Sequence, residues 1–336
     1  MNKTDIILKY FQKKDQLTVK NKDYQKTVSS LFTWLIENDH ITNDITSKLF
    51  PNDISTAVII AKENGIAAGL EEISYLMKKY TRLTFKPFIK DGSKIKNQEV
   101  IAQLEGKSHE ILAYERTILN ILQRMSGIAT ETNRLITLIK SKTSPPSPLL
   151  VGEGKGEVYL AATRKTPWMS LDKKAVAVGG GLTHRLNLSD GILIKDNHLK
   201  IISNATKTPR GWQAELIEAL TPPMVKEARG LIEIEVETEK QANQVLKTFQ
   251  QLTTHNSQLI THNHLALLLD NFTPSQAKTL LRDLNDLYDL SGIIFEASGG
   301  IDKNNILEWS KTGVDILSLG SLTHSPQAVN LSLEFS

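Results

Sequence analysis

Residues 161–198 have the sequence AATRKTPWMSLDKKAVAVGGGLTHRLNLSDGILIKDNH, and the rest of the chain is organised around them. The stretch starts within an apolar, strand-like run at 158–162, passes through a helical pattern at 169–178, and ends in a second strand-like run at 191–195. A triple glycine separates the helical pattern from the second run. The order strand, helix, strand predicts a β/α unit.

The same alternation continues towards the C-terminus. Further strand-like runs lie at 231–236, 265–269, 293–297 and 316–319. Helical patterns lie near 213–219, 239–252, 275–288 and 304–311. This order predicts a parallel sheet, in a β/α barrel or a doubly wound arrangement, and both folds bind their ligands at the carboxyl ends of the strands.

The first third of the chain predicts a different unit. Strand-like runs at 57–61, 65–69, 85–89 and 100–104 surround one helix at 71–80, and amphipathic helices are predicted at 28–38 and 111–128. Short strands mixed with helices in this way are typical of an α+β unit.

Two segments are expected to lie outside the folded units. Residues 1–27 are polar and rich in lysine, and we interpret them as a solvated N-terminal extension. Residues 141–156 contain three prolines and three glycines, which predicts a flexible insertion that the chemistry does not need.

Composition limits the classes of protein to consider. The chain has 336 residues, 40% of them hydrophobic, which is enough for a large core in one or two domains. It contains no cysteine, so disulfides, thiolate metal sites and a cysteine nucleophile are excluded. A formal charge of +3 is too small for a nucleic-acid coat. Because no leader or membrane-span pattern is visible, we expect a soluble, cytoplasmic protein with no membrane or nucleic-acid partner.

Basic residues are concentrated within 161–198. The candidate residues among them are Arg164, Lys165, His184, Arg185, Lys195 and His198. Arginine and lysine bind carboxylate and phosphate groups, and neighbouring glycines let such a ligand approach backbone N–H groups. A solvated basic face is the alternative. The basic residues alternate with glycine and apolar strand residues, so we favour a site for small polyanions.

Acidic side chains end two of the predicted strands. Glu233, Glu235 and Glu237 alternate along one strand and therefore share one face of it. Carboxylates that point inward need a cation or a metal, because an unpaired buried charge is costly; glutamates on a solvated edge strand are the alternative. Asp270 ends the next apolar run, so Glu235 and Asp270 are candidate oxygen ligands for Mg²⁺.

Glycine and serine follow the last two strands, as Ser298-Gly299-Gly300 and Gly320-Ser321. Exposed N–H groups ahead of a helix commonly bind phosphate at this place in β/α barrels. The chain has no HExxH motif, no Walker loop, no Ser/His/Asp order and no GxGxxG after a strand, which disfavours hydrolase, P-loop and dinucleotide-binding functions. His255, His262 and His264 lie in a polar segment that we interpret as surface.

Seven motifs in one order resemble the quinolinate phosphoribosyltransferase family. They are ERTILNILQRMSGIAT (115–130), ATRKTPW (162–168), GGGLTHRLNLSDGILIKDNH (179–198), IEIEVE (232–237), LLDNF (268–272), EASGGI (296–301) and GVDILSLGSLTHS (313–325). The run 41–69 resembles the family as well, so the resemblance covers roughly residues 30–330.

The resemblance implies a reaction and an architecture. Quinolinate and phosphoribosyl pyrophosphate would give nicotinate mononucleotide, pyrophosphate and CO₂ with Mg²⁺, as a step of de novo NAD biosynthesis. An N-terminal α/β sandwich-like domain at 28–115, joined by 325–336, would precede an incomplete parallel α/β barrel at 116–324. In the implied homodimer, the sandwich-like domain of one subunit covers the barrel mouth of the other.

The resemblance also implies roles for individual residues. Arg116 would reach quinolinate from the neighbouring subunit, whereas Arg124 is interpreted as a solvated arginine. The quinolinate site would be lined by Arg164, Lys165, His184, Arg185 and Lys195. Glu235 and Asp270 match acidic positions near the ribose and Mg²⁺, and with Lys195 they are the expected catalytic residues. The phosphate loops would be Ser298, Gly299, Gly300, Gly320 and Ser321.

Two alternatives remain beside this interpretation. A same-fold paralogue associated with molybdenum transport would act on another acceptor, and a non-catalytic barrel would bind anions without releasing pyrophosphate. The KDNH sequence at 195–198 and the full set of arginines favour quinolinate. One departure concerns Pro167-Trp168-Met169, which stands where many family members have Thr-Pro-Gly and leaves the shape of the loop beside Arg164 open.

Overall fold

The computed structural model describes residues 2–142, 158–206, 215–216, 220, 230–255 and 264–336. Three expectations fall wholly or mostly outside what is described: the insertion 141–156 from residue 143 onward, the helix near 213–219 apart from residues 215 and 216, and the surface positions of His262 and of the His255 side chain. Among the described residues, no helix combines the length and the apolar composition needed to span a bilayer.

The elements follow the expected alternation closely. The strands are β1 (Ile54–Ala61), β2 (Gly65–Ile66), β3 (Thr84–Pro87), β4 (Lys94–Ile95), β5 (Val100–Lys107), β6 (Tyr159–Ala162), β7 (Ile192–Ile194), β8 (Leu231–Val236), β9 (His264–Asp270), β10 (Ile293–Ser298), β11 (Ile316–Leu319) and β12 (Leu331–Phe335). The α-helices are α1 (Lys3–Phe11), α2 (Lys22–Asn38), α3 (Leu70–Tyr80), α4 (Ser108–Lys142), α5 (Ser170–Val178), α6 (Asp196–Thr206), α7 (Glu239–His255), α8 (Pro274–Asn285), α9 (Ile306–Trp309) and α10 (Ser321–His324).

The chain folds into two compact units. The parallel-sheet unit comprises Met1–Gln12, Thr137–Ala161 and His184–Leu319, and the antiparallel-sheet unit comprises Lys13–Ile136, Ala162–Thr183 and Gly320–Ser336.

The parallel-sheet unit is an α/β barrel that is open at one side. Its six strands lie in the order β6-β11-β10-β9-β8-β7. Strands that follow one another in the chain are neighbours in the sheet, except that β6 and β7 form its two edges among the described residues. Helices α6, α7 and α8 each follow a strand, as parallel connections require. The fold class predicted from the alternation is therefore confirmed.

The strand register collects polar residues on one face of this sheet. Paired residues of neighbouring strands face the same side: Glu235 pairs with Leu268, which pairs with Glu296, and Asp270 pairs with Ser298. The alternating positions are apolar and fully or almost fully buried; they are Ile194, Ile234, Val236, Leu267, Leu269 and Ala297. The apolar face supplies core packing, and the other face is free to carry charged groups.

The interpretation of residues 1–27 as a solvated extension is wrong. The side chains of Ile6, Ile7 and Phe11 on α1 are 0%, 2% and 1% exposed. Helix α2 also begins inside the supposed extension, at Lys22, where Asn21 Oδ1 caps it. The apolar residues are few, but helical spacing puts them on one buried side, and the lysines that dominate the composition lie elsewhere.

The antiparallel-sheet unit has a four-stranded sheet in the order β12-β1-β5-β3. The C-terminal strand β12 pairs with β1 along Ala57–Ala61. Helix α4 is much longer than the predicted 111–128. Its Gly127 allows the backbone at Gln327 to lie very close to the helix, since a Cβ atom on Gly127 would lie 2.1 Å from the Gln327 carbonyl oxygen.

A buried carboxyl group joins α2 to α3 in this unit. The Tyr24 hydroxyl donates to Glu72 Oε1 at 2.8 Å, and Glu72 is 0% exposed. Glu72 Oε2 has no hydrogen-bond partner. Burial, and to a smaller extent the nearby Asp91 carboxylate, raise the pKa of Glu72 to about 7, whereas Lys174 acts in the opposite direction.

We predict that this carboxyl group makes the protein less stable as the pH rises. The folded protein keeps the Glu72 proton up to about pH 7, while the unfolded chain loses it near 4.5. Stability is therefore greatest below the lower value and falls as the pH passes through this window, by up to about 3 kcal/mol. Glu72→Gln should flatten the dependence, as measured by urea unfolding between pH 5 and pH 8.

The matched control is Glu37→Gln on the exposed side of α2. It should keep the wild-type pH dependence. An equally steep profile in Glu72→Gln would contradict the assignment.

Candidate active site

Lys195 and Glu235 form an ion pair at the carboxyl ends of β7 and β8. The pairing of Ile194 with Ile234 places the two residues side by side. The Glu235 side chain is 7% exposed and that of Lys195 is 41% exposed. The buried Glu235 carboxylate is thus paired with a cation, as predicted, and the Lys195 side chain remains partly exposed to solvent. The Lys195 N–H also donates to His198 Nδ1 at 2.9 Å, which orders the turn into α6.

His184 lies between two further buried carboxylates. Its Nε2 is 3.1 Å from Glu296 Oε2 and 3.5 Å from Glu233 Oε2. The Ser318 hydroxyl donates to the other oxygen of Glu296 at 2.5 Å. Glu233 and Glu296 are each 2% exposed, and Glu233 Oε1 has no hydrogen-bond partner. The imidazole is therefore enclosed by negative charge.

The protonation of this triad follows from its contacts. Burial alone would lower the pKa of His184, but Glu296 and Glu233 outweigh it and raise the pKa to about 10. The Arg185 N–H points at Nδ1 from 2.7 Å, which favours an unprotonated Nδ1 and opposes a second proton. Nε2 carries a proton in either charge state. Burial and the neighbouring Glu296 raise the pKa of Glu233, so this carboxyl is the one that most readily holds a proton.

The sequence did not reveal Glu296 and Ser318 as part of the site. Glu296 is a single acidic residue in the apolar strand IIFEAS, and that isolated charge was the available signal. Glu237 was expected to face inward with Glu233 and Glu235, and this expectation is wrong: β8 ends at Val236, and Glu237 is exposed.

The turns after β9 and β10 approach each other closely. Gly299 and Gly300 have φ angles of 90° and 64°, which glycine adopts most easily. A Cβ atom on Gly299 would lie 3.1 Å from Asp270 Oδ1 and 3.0 Å from Asn271 Oδ1. Asn271 in turn donates to Asp270 Oδ2 at 3.0 Å. The missing side chain of Gly299 thus lets the two turns approach each other without a clash, and Ser298 precedes the glycines at the strand end.

A cleft of about 360 Å³ opens at the same ends of the sheet. The turn after β8, with Glu237 and Thr238, lines one side, and Asn271 and Phe272 after β9 line the other. Its position agrees with the rule that parallel sheets bind ligands beyond the carboxyl ends of their strands.

In the antiparallel-sheet unit, Arg164 and Lys165 are exposed on the turn that leads to α5. Asp172 is 0% exposed and holds this turn, because its Oδ2 accepts the Trp168 N–H at 3.3 Å and the Thr166 hydroxyl. Met169 adopts a φ of 51° at the end of the turn. Asp172 thus holds the backbone of the Pro167-Trp168-Met169 segment, where the sequence departs from the family pattern.

The interpretation of Arg124 as a solvated arginine is wrong. Its Nε and Nη2 atoms bind both oxygens of Asp172 at 2.8 Å, and Nη2 also donates to the Thr323 carbonyl at 2.7 Å. The guanidinium lies 5.1 Å from the centre of the Trp168 ring. Asp172 and Thr323 are distant in sequence, so the residues around Arg124 gave no signal for this role.

The other candidates in this unit lie at the start of α10, beside this turn, or on α4. The Lys165 side chain lies close to Gly320, because glycine has no Cβ atom; a Cβ atom there would lie 3.1 Å from Lys165 Cδ. The Thr323 hydroxyl donates to the Lys165 carbonyl at 2.8 Å. Ser321 is the first residue of the short helix α10, which also contains Thr323. Arg116 projects from α4 with its side chain 65% exposed, next to Glu115 at 3.6 Å.

The candidates therefore fall into two groups. The parallel-sheet unit carries His184, Arg185, Lys195, Glu235, Asp270, Ser298, Gly299 and Gly300, and the antiparallel-sheet unit carries Arg116, Arg164, Lys165, Gly320 and Ser321.

Comparison with known proteins assigns the chain to a family. The model of the quinolinate phosphoribosyl transferase C-terminal domain matches residues 128–334, and that of the N-terminal domain matches residues 44–126. A probable carboxylating nicotinate-nucleotide pyrophosphorylase of Methanocaldococcus jannaschii is 33% identical over 305 residues, which cover 89% of this chain and 94% of that protein. The protein of the same name from Bacillus subtilis is 33% identical over 304 residues, covering 87% and 88%.

The solved structures agree with this assignment. The nicotinate-nucleotide pyrophosphorylase from Francisella tularensis superimposes with a TM-score of 0.73 at 29% identity, covering 93% of this chain and 96% of that one. Two family models that match consecutive parts of the chain, relatives of nearly equal length and a shared fold lead to one conclusion: the chain belongs to the quinolinate phosphoribosyltransferase family.

Proposed function

We propose that this protein transfers the phosphoribosyl group of phosphoribosyl pyrophosphate to quinolinate and releases pyrophosphate and CO₂, giving nicotinate mononucleotide for NAD biosynthesis. The Lys195–Glu235 ion pair at the strand ends of a chain of this family is the observation that carries the proposal. The relatives named above support this function and give the molybdenum-associated alternative no support. The absence of cysteine is compatible with the cytoplasm, where we propose that the protein acts.

Quinolinate is a dianion, and basic side chains are proposed to bind it. We assign its carboxylates to Arg116, Arg164, Lys165, His184, Arg185 and Lys195. Guanidinium groups bind carboxylates through two parallel hydrogen bonds and so fix the orientation of the pyridine ring as well as its position. Ser298, Gly299, Gly300, Gly320 and Ser321 are proposed to bind phosphate groups through backbone N–H and hydroxyl donors.

The chemistry needs placement and charge, not a protein nucleophile. The C1–O bond of the ribose breaks, its electron pair leaves with pyrophosphate, and the quinolinate nitrogen forms the new bond to C1. Holding the two substrates in line lowers the entropic part of the barrier. The alkylated ring then accepts the electron pair of the adjacent carbon–carboxylate bond as CO₂ leaves, and that carbon takes up a proton. Fixed cations stabilise the charges that shift during both steps.

Mg²⁺ is proposed as the cofactor, near Glu235 and Asp270. The residues fit, because both side chains offer carboxylate oxygens on the same face of neighbouring strands, near the carboxyl ends of those strands. Lys195 already occupies one oxygen of Glu235, which favours contact through water. When bound, Mg²⁺ would neutralise part of the pyrophosphate charge.

We also propose a homodimer in which Arg116 acts on the site of the partner subunit. Large apolar side chains are exposed on the antiparallel-sheet unit, and they are Trp34 (57%), Ile45 (78%), Leu49 (80%), Phe50 (60%) and Ile54 (69%). Such a concentration favours a protein interface. On α4, Leu112 lies one turn before Arg116 and is 38% exposed, so apolar surface continues on the face that carries the arginine.

Lys195→Ala should lower turnover by about 100-fold or more, since it removes one fixed cation from the reacting centre. Nicotinate mononucleotide formation from quinolinate and phosphoribosyl pyrophosphate measures the effect, and thermal unfolding checks that the variant is folded. Lys200→Ala is the control, because Lys200 is a 68% exposed lysine on the neighbouring helix α6. Near-normal turnover in folded Lys195→Ala would remove the assignment; a wild-type protein that forms no nicotinate mononucleotide would overturn the function.

Removal of divalent metal with EDTA should abolish product formation, and added Mg²⁺ should restore it. Asp270→Asn should raise the Mg²⁺ concentration for half-maximal rate by about tenfold, because an amide binds the ion less well than a carboxylate. Asp283→Asn changes an exposed carboxylate on α8 and should leave this concentration unchanged. A metal requirement that is the same in all three proteins would argue against Asp270 as a ligand.

Two inactive variants should complement each other when mixed. A mixed dimer of Arg116→Ala and Lys195→Ala subunits contains one site with an intact Arg116 and an intact Lys195. Random exchange should therefore restore about a quarter of the wild-type sites. The measurement is product formation after the two proteins are unfolded and refolded together. Each protein refolded alone is the control, and no recovery in the mixture would mean that Arg116 does not act across subunits.

A further inference from the structure

The N-terminal helix α1 is anchored in the parallel-sheet unit near both of its ends. At its start, the Lys3 ammonium lies 3.1 Å from the Asp315 carboxylate. Near its end, the Tyr10 ring packs against His264, with 5.6 Å between the ring centres. Gly230 makes room for this contact, since a Cβ atom on Gly230 would lie 2.3 Å from the tyrosine hydroxyl oxygen. These contacts give α1 a defined place in its unit.

The last residue of α1 contacts His184 with both its backbone and its side chain. The His184 N–H donates to the Phe11 carbonyl at 2.8 Å. The Phe11 ring, 1% exposed, meets the imidazole edge-to-face, with 5.1 Å between the centres and 86° between the planes. Rings in this geometry attract each other. The position of the imidazole therefore depends on Phe11.

His184 needs such support because its own conformation is unfavourable. Its φ angle of 53° lies in the left-handed region, which a residue other than glycine adopts only when its surroundings hold it there. In this conformation the ring keeps Nε2 at 3.1 Å from Glu296. A small rotation of the ring would break that contact and leave Glu233 and Glu296 without the Nε2–H group that lies between them.

We infer that Phe11 is a positioning residue for His184, and that α1 is thereby a working part of the quinolinate site. The inference rests on the proposed function, in which His184 takes part in quinolinate binding. Phe11 acts through the imidazole and not on the substrate itself. The expected consequence of its loss is weaker quinolinate binding, with little change in the binding of phosphoribosyl pyrophosphate.

The kinetic test compares two truncations on the same helix. Phe11→Ala removes the ring that meets His184, whereas Ile6→Ala removes another fully buried side chain of α1, five residues earlier. Each variant is assayed well below its unfolding temperature. Phe11→Ala should raise the KM for quinolinate at least tenfold and leave the KM for phosphoribosyl pyrophosphate within twofold. Ile6→Ala should leave both within twofold. Phe11→Leu, which keeps much of the packing but not the ring, should fall between wild type and Phe11→Ala.

A spectroscopic measurement follows His184 without any assay. In protein labelled with ring-¹⁵N histidine, the His184 signals are identified by their loss in His184→Gln. Phe11→Ala should shift these signals, and Ile6→Ala should leave them in place.

The outcomes separate the inference from the function on which it rests. A selective rise in the quinolinate KM together with shifted His184 signals supports the inference. Equal effects of the two truncations, or unchanged His184 signals in Phe11→Ala, overturn it while product formation by the wild type still stands. If the wild-type protein forms no nicotinate mononucleotide, the proposed function fails, and the assignment of Phe11 to a quinolinate site falls with it.

Discussion

Buried negative charge is the constraint on which the inner face of the parallel sheet depends. Glu233, Glu235 and Glu296 are 2%, 7% and 2% exposed, and a carboxylate removed from water so completely is tolerated only beside a cation or with a proton. Lys195 and the Nε2 proton of His184 meet that need. The carboxylates thus hold Lys195 and the imidazole in place before any ligand arrives, and groups fixed in advance bind and stabilise anions without a reorganisation cost.

Much of this arrangement was predictable from sequence alone, for a physical reason. The apolar runs that end in Lys195, Asp270 and Ser298 are short, bounded by turn residues and separated by helical patterns, so their ends had to meet at one edge of a parallel sheet. The alternation of Glu233 and Glu235 likewise fixed their common face. The partner of each charge was not predictable, because His184 and Glu296 are 112 positions apart and meet only when the chain has folded.

The wrong predictions for residues 1–27 and for Arg124 share a cause. Residues 1–27 and Arg124 were interpreted as solvated because charged residues usually are, and local composition contains no information about a distant partner. Arg124 is only 19% exposed because a fully buried Asp172 lies opposite it, 48 positions later in the chain. The apolar residues of α1 were too few to predict burial by periodicity, yet the three that are buried, Ile6, Ile7 and Phe11, contribute to the core.

The position of α1 separates two tasks within the parallel-sheet unit. Its contacts with Asp315 and Gly230 lie just before β11 and β8 begin, whereas Lys195 and Asp270 lie where β7 and β9 end. In barrels of this kind the amino ends of the strands serve stability and the carboxyl ends serve chemistry. His184 takes part in both tasks. Its backbone N–H donates to the last residue of α1, and its ring contacts carboxylates on the inner face of the sheet. A helix on the stabilising side can therefore influence the reacting side through one strained residue.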